Sequence, residues 1–191
     1  MCGRFFVDAK NREIDRLRAM LPENAPMPKT GEVYPTENAI ILTGGNNVQS
    51  MAWGFPRRDD KGVIFNARSE SALQKPMFAR ALRTHPAAIP ASGFYEWHSS
   101  RQGARKDKYL FTDFNYPFLY LAGFWNFFSN EANPRHFTIL TTAANPSMQP
   151  YHHRMPLILR PNDLAGWLDG SNLEMILQGE PVPLRVEQVS R

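Results

Sequence analysis

The chain has 191 residues, 42% of them hydrophobic, with a net charge of +4 and a pI near 9.4: enough apolar matter for one substantial core, and only a mild pull on anions. Its one cysteine excludes an internal disulfide and a multi-cysteine zinc site, and no apolar run is long enough to span a bilayer. No secretory signal pattern is present, so one domain over 1–191 in the reducing cytoplasm is the expectation.

In chain order, GRFFV reads as a strand, and Asp8 is placed to cap a helix to about Met20. Ile14, Leu17 and Leu21 recur there at helical spacing, and Pro22 stops the helix. ENAPMPKTGEVYPT reads as a proline-punctuated loop. NAIILT and NNVQSMAW flank two glycines as a hairpin. VIFNAR is a short strand running into SESALQKPMFARAL, a helix begun at Ser69 or Ser71 with Pro76 in a first turn. The middle is strand-rich: AAIPASGFYEWHS and KYLFTDF form a hairpin across SSRQGARKD, followed by PFLYLAGFW and HFTILTTAA. NPSMQPYHHRM is a loop or short helix, PLILR a strand, and Pro161 opens a helix that a second, NLEMILQG, follows before the closing strand LRVEQVS. Strands with peripheral helices and no βαβ alternation predict an α+β fold with an antiparallel, barrel-like core.

Chemistry could reside at four places. Cys2 is the first. Most free cysteines are small buried hydrophobes. Here Gly3 and the small side chain at position 2 suit removal of Met1, which would leave an amine and a thiol on one residue. An α-amine with a pKa near 8 is neutral at pH 7 for roughly a tenth of the time, far more than a lysine, and can attack an aldehyde. The neighbouring sulfur then reaches the imine carbon to close a five-membered ring.

Glu96, in GFYEWH, interrupts an apolar strand. On a solvent face it is ordinary, and in a pocket it is a proton carrier. Alternation puts Phe94, Glu96 and His98 on one face and Tyr95 and Trp97 on the other. In YHHRMP, His152 or His153 could act as acid or base, although a surface-loop histidine is the commoner case. A metal reading lacks the further ligands it needs. FNARSE offers Asn66, Arg68 and Glu70 at alternate positions: Asn66 could orient a nucleophile, and Arg4 and Arg68 could grip phosphates. Arg57, Arg58, Arg80, Arg83, Arg101, Arg105, Lys106 and Lys108 lie between aromatic-rich segments, a mixture that suits single-stranded nucleic acid and equally suits a solvated surface.

MCGRF at the start, WGF followed by FNARSE, GFYEW and HHRMP, in that order, resemble the SRAP family, the SOS response-associated peptidases, over almost the whole chain. The resemblance implies a sensor that captures abasic sites in single-stranded DNA through a thiazolidine on Cys2. It implies Asn66 positioning the amine and sugar, and Glu96 moving protons. His152, selected over His153 by the pattern His-x-Arg-x-Pro, would protonate the sugar-ring oxygen. Arg4 and Arg68 would hold the flanking phosphates, and Pro35 would shape the channel. A monomer is expected, with no cofactor, no metal and no membrane partner, in the cytoplasm and on the nucleoid when bound. The alternatives are a cysteine-type autopeptidase of the SOS response and a non-catalytic single-stranded DNA-binding module. Two features depart from the family pattern. FPRRDDKG stands where many relatives carry a tryptophan-rich loop, and GEVYPT stands where many carry Asn-x-x-Pro. The absence of a long C-terminal tail points to a bacterial-type member.

Overall fold

The computed structural model describes residues 2–57, 59, 61–99 and 106–189. Met1, Arg58, Arg101, Arg105 and most of the segment SSRQGARKD lie outside them, so the expectations placed on those residues are not addressed by it. In chain order the elements are β1 (Phe5–Val7), α1 (Arg12–Ala19), β2 (Gly31–Val33), β3 (Asn38–Thr43), β4 (Asn47–Trp53), β5 (Phe55–Pro56), β6 (Val63–Ile64) and β7 (Asn66–Arg68). Then come α2 (Ser69–Ala72), α3 (Pro76–Thr84), β8 (Pro86–Ala91), β9 (Gly93–Ser99), β10 (Lys106–Thr112), β11 (Leu119–Phe127) and β12 (Arg135–Ala143). The chain closes with β13 (Arg154–Pro156), β14 (Ile158–Leu159), α4 (Leu164–Leu168), α5 (Leu173–Leu177) and β15 (Arg185–Val189).

Two sheets organise most of these strands, and β5 and β6 pair separately with each other. One runs β15-β10-β9-β1-β2; the larger runs β13-β12-β4-β3-β8-β11-β14, with β7 added beside β12. Pairing is antiparallel except where β12 meets β4 and β7. The α+β expectation, with a barrel-like and mainly antiparallel core, is met. One contiguous core includes Phe5, Ile41, Trp53, Phe94, Phe111, Phe124 and Phe137, all fully buried. Trp53 makes ring contacts with Phe5, Phe65 and Phe137 and donates its indole N–H to the Phe65 carbonyl, so the one polar atom of the largest core side chain is satisfied.

Local chemistry explains where the elements begin. Asn11, not Asp8, caps α1: its side-chain oxygen accepts from the Glu13 N–H at 2.9 Å. Asp8 instead forms the preceding turn, accepting from Lys10 N–H at 2.9 Å. Pro76 opens α3 at its first position, where a missing N–H costs nothing. The single run AAIPASGFYEWHS divides into β8 and β9, which belong to different sheets. The division falls at Ser92, whose N–H donates to the Phe6 carbonyl (2.7 Å) and whose hydroxyl accepts from Asp8 N–H (2.9 Å). PLILR likewise splits: Pro156 ends β13 and only Ile158–Leu159 form β14. β2 forms inside the segment read as loop, because Gly31–Val33 pair with β1.

Candidate functional site

Three separate pieces of backbone converge near the start of the chain. Cys2 precedes β1, which lies between β2 and β9. Arg4 sits across from β9, its carbonyl accepting from Tyr95 N–H at 2.9 Å, so Glu96 follows one residue on. β7 brings Asn66, held by parallel pairing of Asn66–Arg68 with Ile139–Thr141 of β12. The other side of β12 pairs with β13, which anchors the end of the loop that carries His152.

The contacts are specific. Cys2 is 1% exposed, and its thiol points to the Arg4 carbonyl at 3.8 Å. Asn66 Nδ2 donates to the Cys2 carbonyl at 2.8 Å. Its Oδ1 is buried without a hydrogen-bond partner among the described residues. Glu96 is 8% exposed and pairs across the ladder with Tyr109. Burial first, and the negative field of Glu96 second, push the Cys2 thiol up to about 12. Glu96 is thus electrostatically coupled to the thiol.

His152 is half-buried. Its pKa is held below the ordinary 6.5, by burial first, while Glu96 pulls it the other way. The Arg154 N–H donates to Nδ1 at 2.9 Å, which leaves the proton of the neutral ring on Nε2. The Arg154 carbonyl lies 3.1 Å from the same nitrogen and can accept from the imidazolium. His153 is exposed and stacks on His152 with ring centroids 4.4 Å apart.

Tyr151 fixes this loop to the sheet through ring contacts with His98, Tyr109 and Phe111, on the face of β9 and β10 that carries Glu96. Arg154, 9% exposed, locks the loop's other end. Its Nη2 donates to Glu70 Oε2 at 2.9 Å and its Nη1 to Glu70 Oε1, with a further bond to the Thr141 carbonyl. Glu70 lies inside FNARSE and Arg154 inside HHRMP, 84 positions apart, so neither motif alone discloses that the two grip each other.

Of the other candidates, Arg4 is tied to this cluster through its backbone, since its carbonyl faces the Cys2 thiol. Arg68 is exposed at the start of α2. Pro35 is half-buried in the turn Tyr34–Glu37, closed by a Glu37 N–H bond to the Tyr34 carbonyl at 3.1 Å; Thr36 takes the left-handed conformation there, φ 80°. The Arg4 guanidinium lies over the rings of Tyr34 and Trp97, at 4.1 and 4.4 Å, and forms an ion pair with Glu32 at 2.8 Å. At the start of FPRRDDKG, Phe55 and Pro56 of β5 pair with Ile64 and Val63 of β6, and Arg57 pairs with Asp59. Among the described residues no group of three His, Cys, Asp or Glu gathers as a metal site would require. Among the described residues no helix is long and apolar enough to cross a membrane. A hollow of about 500 Å³ lined by Tyr116, Phe118, Tyr120 and Leu159 contains none of these candidates.

The family model described as SOS response associated peptidase (SRAP) matches residues 1–191. The chain belongs to the SRAP family. The abasic site processing protein YoqW of Bacillus subtilis is 32% identical, over 91% of this chain and 83% of its own length. YoaM, an abasic site processing protein of the same bacterium, is 30% identical over 90% and 81%. Among solved structures, a protein from Bacteroides thetaiotaomicron is 21% identical and superposes with a TM-score of 0.80, covering 99% of this SRAP chain and 92% of its own. That last likeness establishes the fold.

Proposed function

We propose that this SRAP protein processes abasic sites in single-stranded DNA by covalent capture at Cys2 once Met1 has been removed. Its relatives' names supply the substrate class; the site supplies the chemistry. The observation that carries the reading is the clamp on the second residue. Asn66 holds the Cys2 carbonyl, and a buried carboxylate, Glu96, is coupled both to the thiol and to His152.

The steps follow from the groups present. An abasic deoxyribose is mostly a cyclic hemiacetal, and its ring opens to the aldehyde when the ring oxygen gains a proton and the anomeric hydroxyl gives its own up to water. His152 is the acid for this step. The released amine of Cys2 attacks the exposed aldehyde carbon, and loss of water gives an imine. Asn66 Oδ1, buried and lacking a hydrogen-bond partner among the described residues, is the acceptor that orients the amine. The sulfur then adds to the imine carbon. The thiol proton passes to Glu96 and from there to the former imine nitrogen, leaving a thiazolidine with atoms and charges in balance.

A peptidase acting through a Cys2 thiolate fits the site less well. With the thiol at about 12, thiolate makes up about one part in 10⁵ at pH 7, whereas thiol nucleophiles of hydrolytic enzymes sit in electropositive surroundings. Ring closure needs no standing thiolate, because the proton leaves as the bond forms.

The test is a denaturing gel after the mature protein is mixed with a single-stranded oligonucleotide bearing one abasic site. A heat-stable shifted band is expected, absent with Cys2→Ala. A Cys2→Ala protein that forms an equally heat-stable band would end the thiazolidine reading.

A further inference from the structure

Arg4, two residues along the chain from the capture residue, is already engaged by an anion of the protein itself. Glu32 rides on β2, the edge strand of its sheet, opposite Phe6 of β1. Its carboxylate accepts from three donors: Arg4 Nη1 at 2.8 Å, the Tyr34 hydroxyl at 3.1 Å, and the Lys108 ammonium. Lys108 reaches this point from β10, its ammonium 3.9 Å from the centre of the Tyr95 ring. Guanidinium, ammonium and phenol converging on two oxygens is the donor set that also suits a phosphodiester. Two cations face one carboxylate, so the cluster keeps a net charge of +1. The Tyr34 and Trp97 rings, over which Arg4 lies, offer the flat surfaces on which bases stack.

We infer that Arg4 and Lys108 form a phosphate-binding site for the DNA strand, which Glu32 fills in the free protein as a built-in competitor. This rests on the strand-binding reading above and adds Lys108 and Glu32 to it. Glu32 can yield the position. Its side chain is 31% exposed, and on an edge strand it has solvent to swing into. An entering phosphate takes over the cations, and the carboxylate moves to water. The exchange costs affinity, because one attraction is broken for each one made, and it disfavours strands held by weak contacts alone. Glu32 therefore sets how tightly undamaged single strands are held next to the capture residue.

The experiment measures binding of an intact single-stranded oligonucleotide, without an abasic site, by fluorescence anisotropy across a salt series. Glu32→Gln keeps the shape and removes the competing charge. Roughly fivefold tighter binding is expected at low salt, with a log–log salt slope steeper by about 0.7, the increment for one more phosphate contact on a single strand. The double variant Glu32→Gln/Lys108→Gln should lose most of both gains. Thermal unfolding of each variant verifies that it is folded, and Glu32→Asp serves as a second variant that keeps the charge and should bind as the unaltered protein does. If the unaltered protein binds and a folded Glu32→Gln binds equally or more weakly, Glu32 is a support for Arg4 and the competitor assignment is wrong. If the unaltered protein binds no single strand even at low salt, the strand-binding reading itself fails.

Discussion

At the level of single residues the site is unusual in pairing a suppressed thiol with a histidine biased towards neutrality. Both result chiefly from burial, and Glu96 raises both values: it reinforces burial at the thiol, holding the proton on sulfur, and opposes it at the imidazole, favouring the proton there. The chemistry proposed uses both. If His152 must be protonated and the Cys2 amine neutral, the capture rate is the product of a fraction that falls with pH and one that rises. The rate should climb at acid pH, level off once pH passes the lowered His152 value below 6.5, and fall again above the amine's pKa of about 8. His152→Gln should be slower and should lose the alkaline fall, because the remaining titration is that of the amine. A stopped-time pH series of crosslink yield tests this, and a merely structural histidine would leave the profile's shape unchanged. Glu96→Gln should accumulate imine over thiazolidine. Borohydride trapping would detect it: reduction-dependent crosslink should rise while the heat-stable product falls by about 10²-fold in rate.

Among elements, β12 does the positioning. It pairs with β7 on one side and β13 on the other, so Asn66 and the His152 loop are both indexed to the same nine-residue strand. The Arg154–Glu70 pair ties the two flanks together across it. Arg154→Gln would leave the Thr141 carbonyl and Glu70 without their charged donor, a loss of about 2 kcal/mol measurable by urea unfolding, and capture should slow because His152 loses its fixed orientation. Acid should act on the same lock. The Glu70 carboxyl is held below its ordinary 4.5 by its hydrogen bonds from Arg154, so the folded state binds its proton less readily than the unfolded chain. The stability this contributes is present above pH 4.5 and is lost as pH falls from there through the lowered folded value. Glu70→Gln should flatten that part of the acid-stability curve.

How much of this was legible in the sequence divides by range. Cys2 stands out by its place behind Met1 and Glu96 by interrupting an apolar strand, whereas Asn66 and His152 take their roles only from the resemblance of FNARSE and HHRMP to the SRAP pattern. Pro76 and the β3–β4 hairpin followed from local turn and helix rules. What escaped was decided by partners far along the chain or, at the cap of α1, by competition between neighbouring side chains. β2 exists because β1 pairs with it. Asp8 lost the cap of α1 to Asn11, whose side chain, not that of Asp8, reaches the Glu13 N–H. Glu32 reads as an ordinary exposed residue until β10 delivers Lys108 beside it, 76 positions away.

For the molecule as a whole, the decisive joint is the passage between the sheets at Ser92–Gly93. β8 belongs to the large sheet and β9 to the small one, and the small sheet's β1 carries the capture residue at its start. Gly93 pairs with Phe6, and a side chain there has nowhere to go: a Cβ would come within 2.6 Å of the Phe111 carbonyl and 2.9 Å of Leu110. The nearer obstacle is backbone, so relief requires β9 and β10 to separate, and Glu96 moves with them. Gly93→Ala should therefore cost about 1–3 kcal/mol, as overpacking does. It should also reduce capture by more than the lost folded fraction explains, because the distance from Cys2 to Glu96 depends on this joint. Gly62→Ala is the comparison: it also lies in a β-linked turn, with φ 90°, but a Cβ there meets nothing within 4 Å. It should lose stability through backbone strain while the folded protein still captures at the normal rate. Equal capture per folded molecule in the two variants would show that the joint does not set the site's geometry.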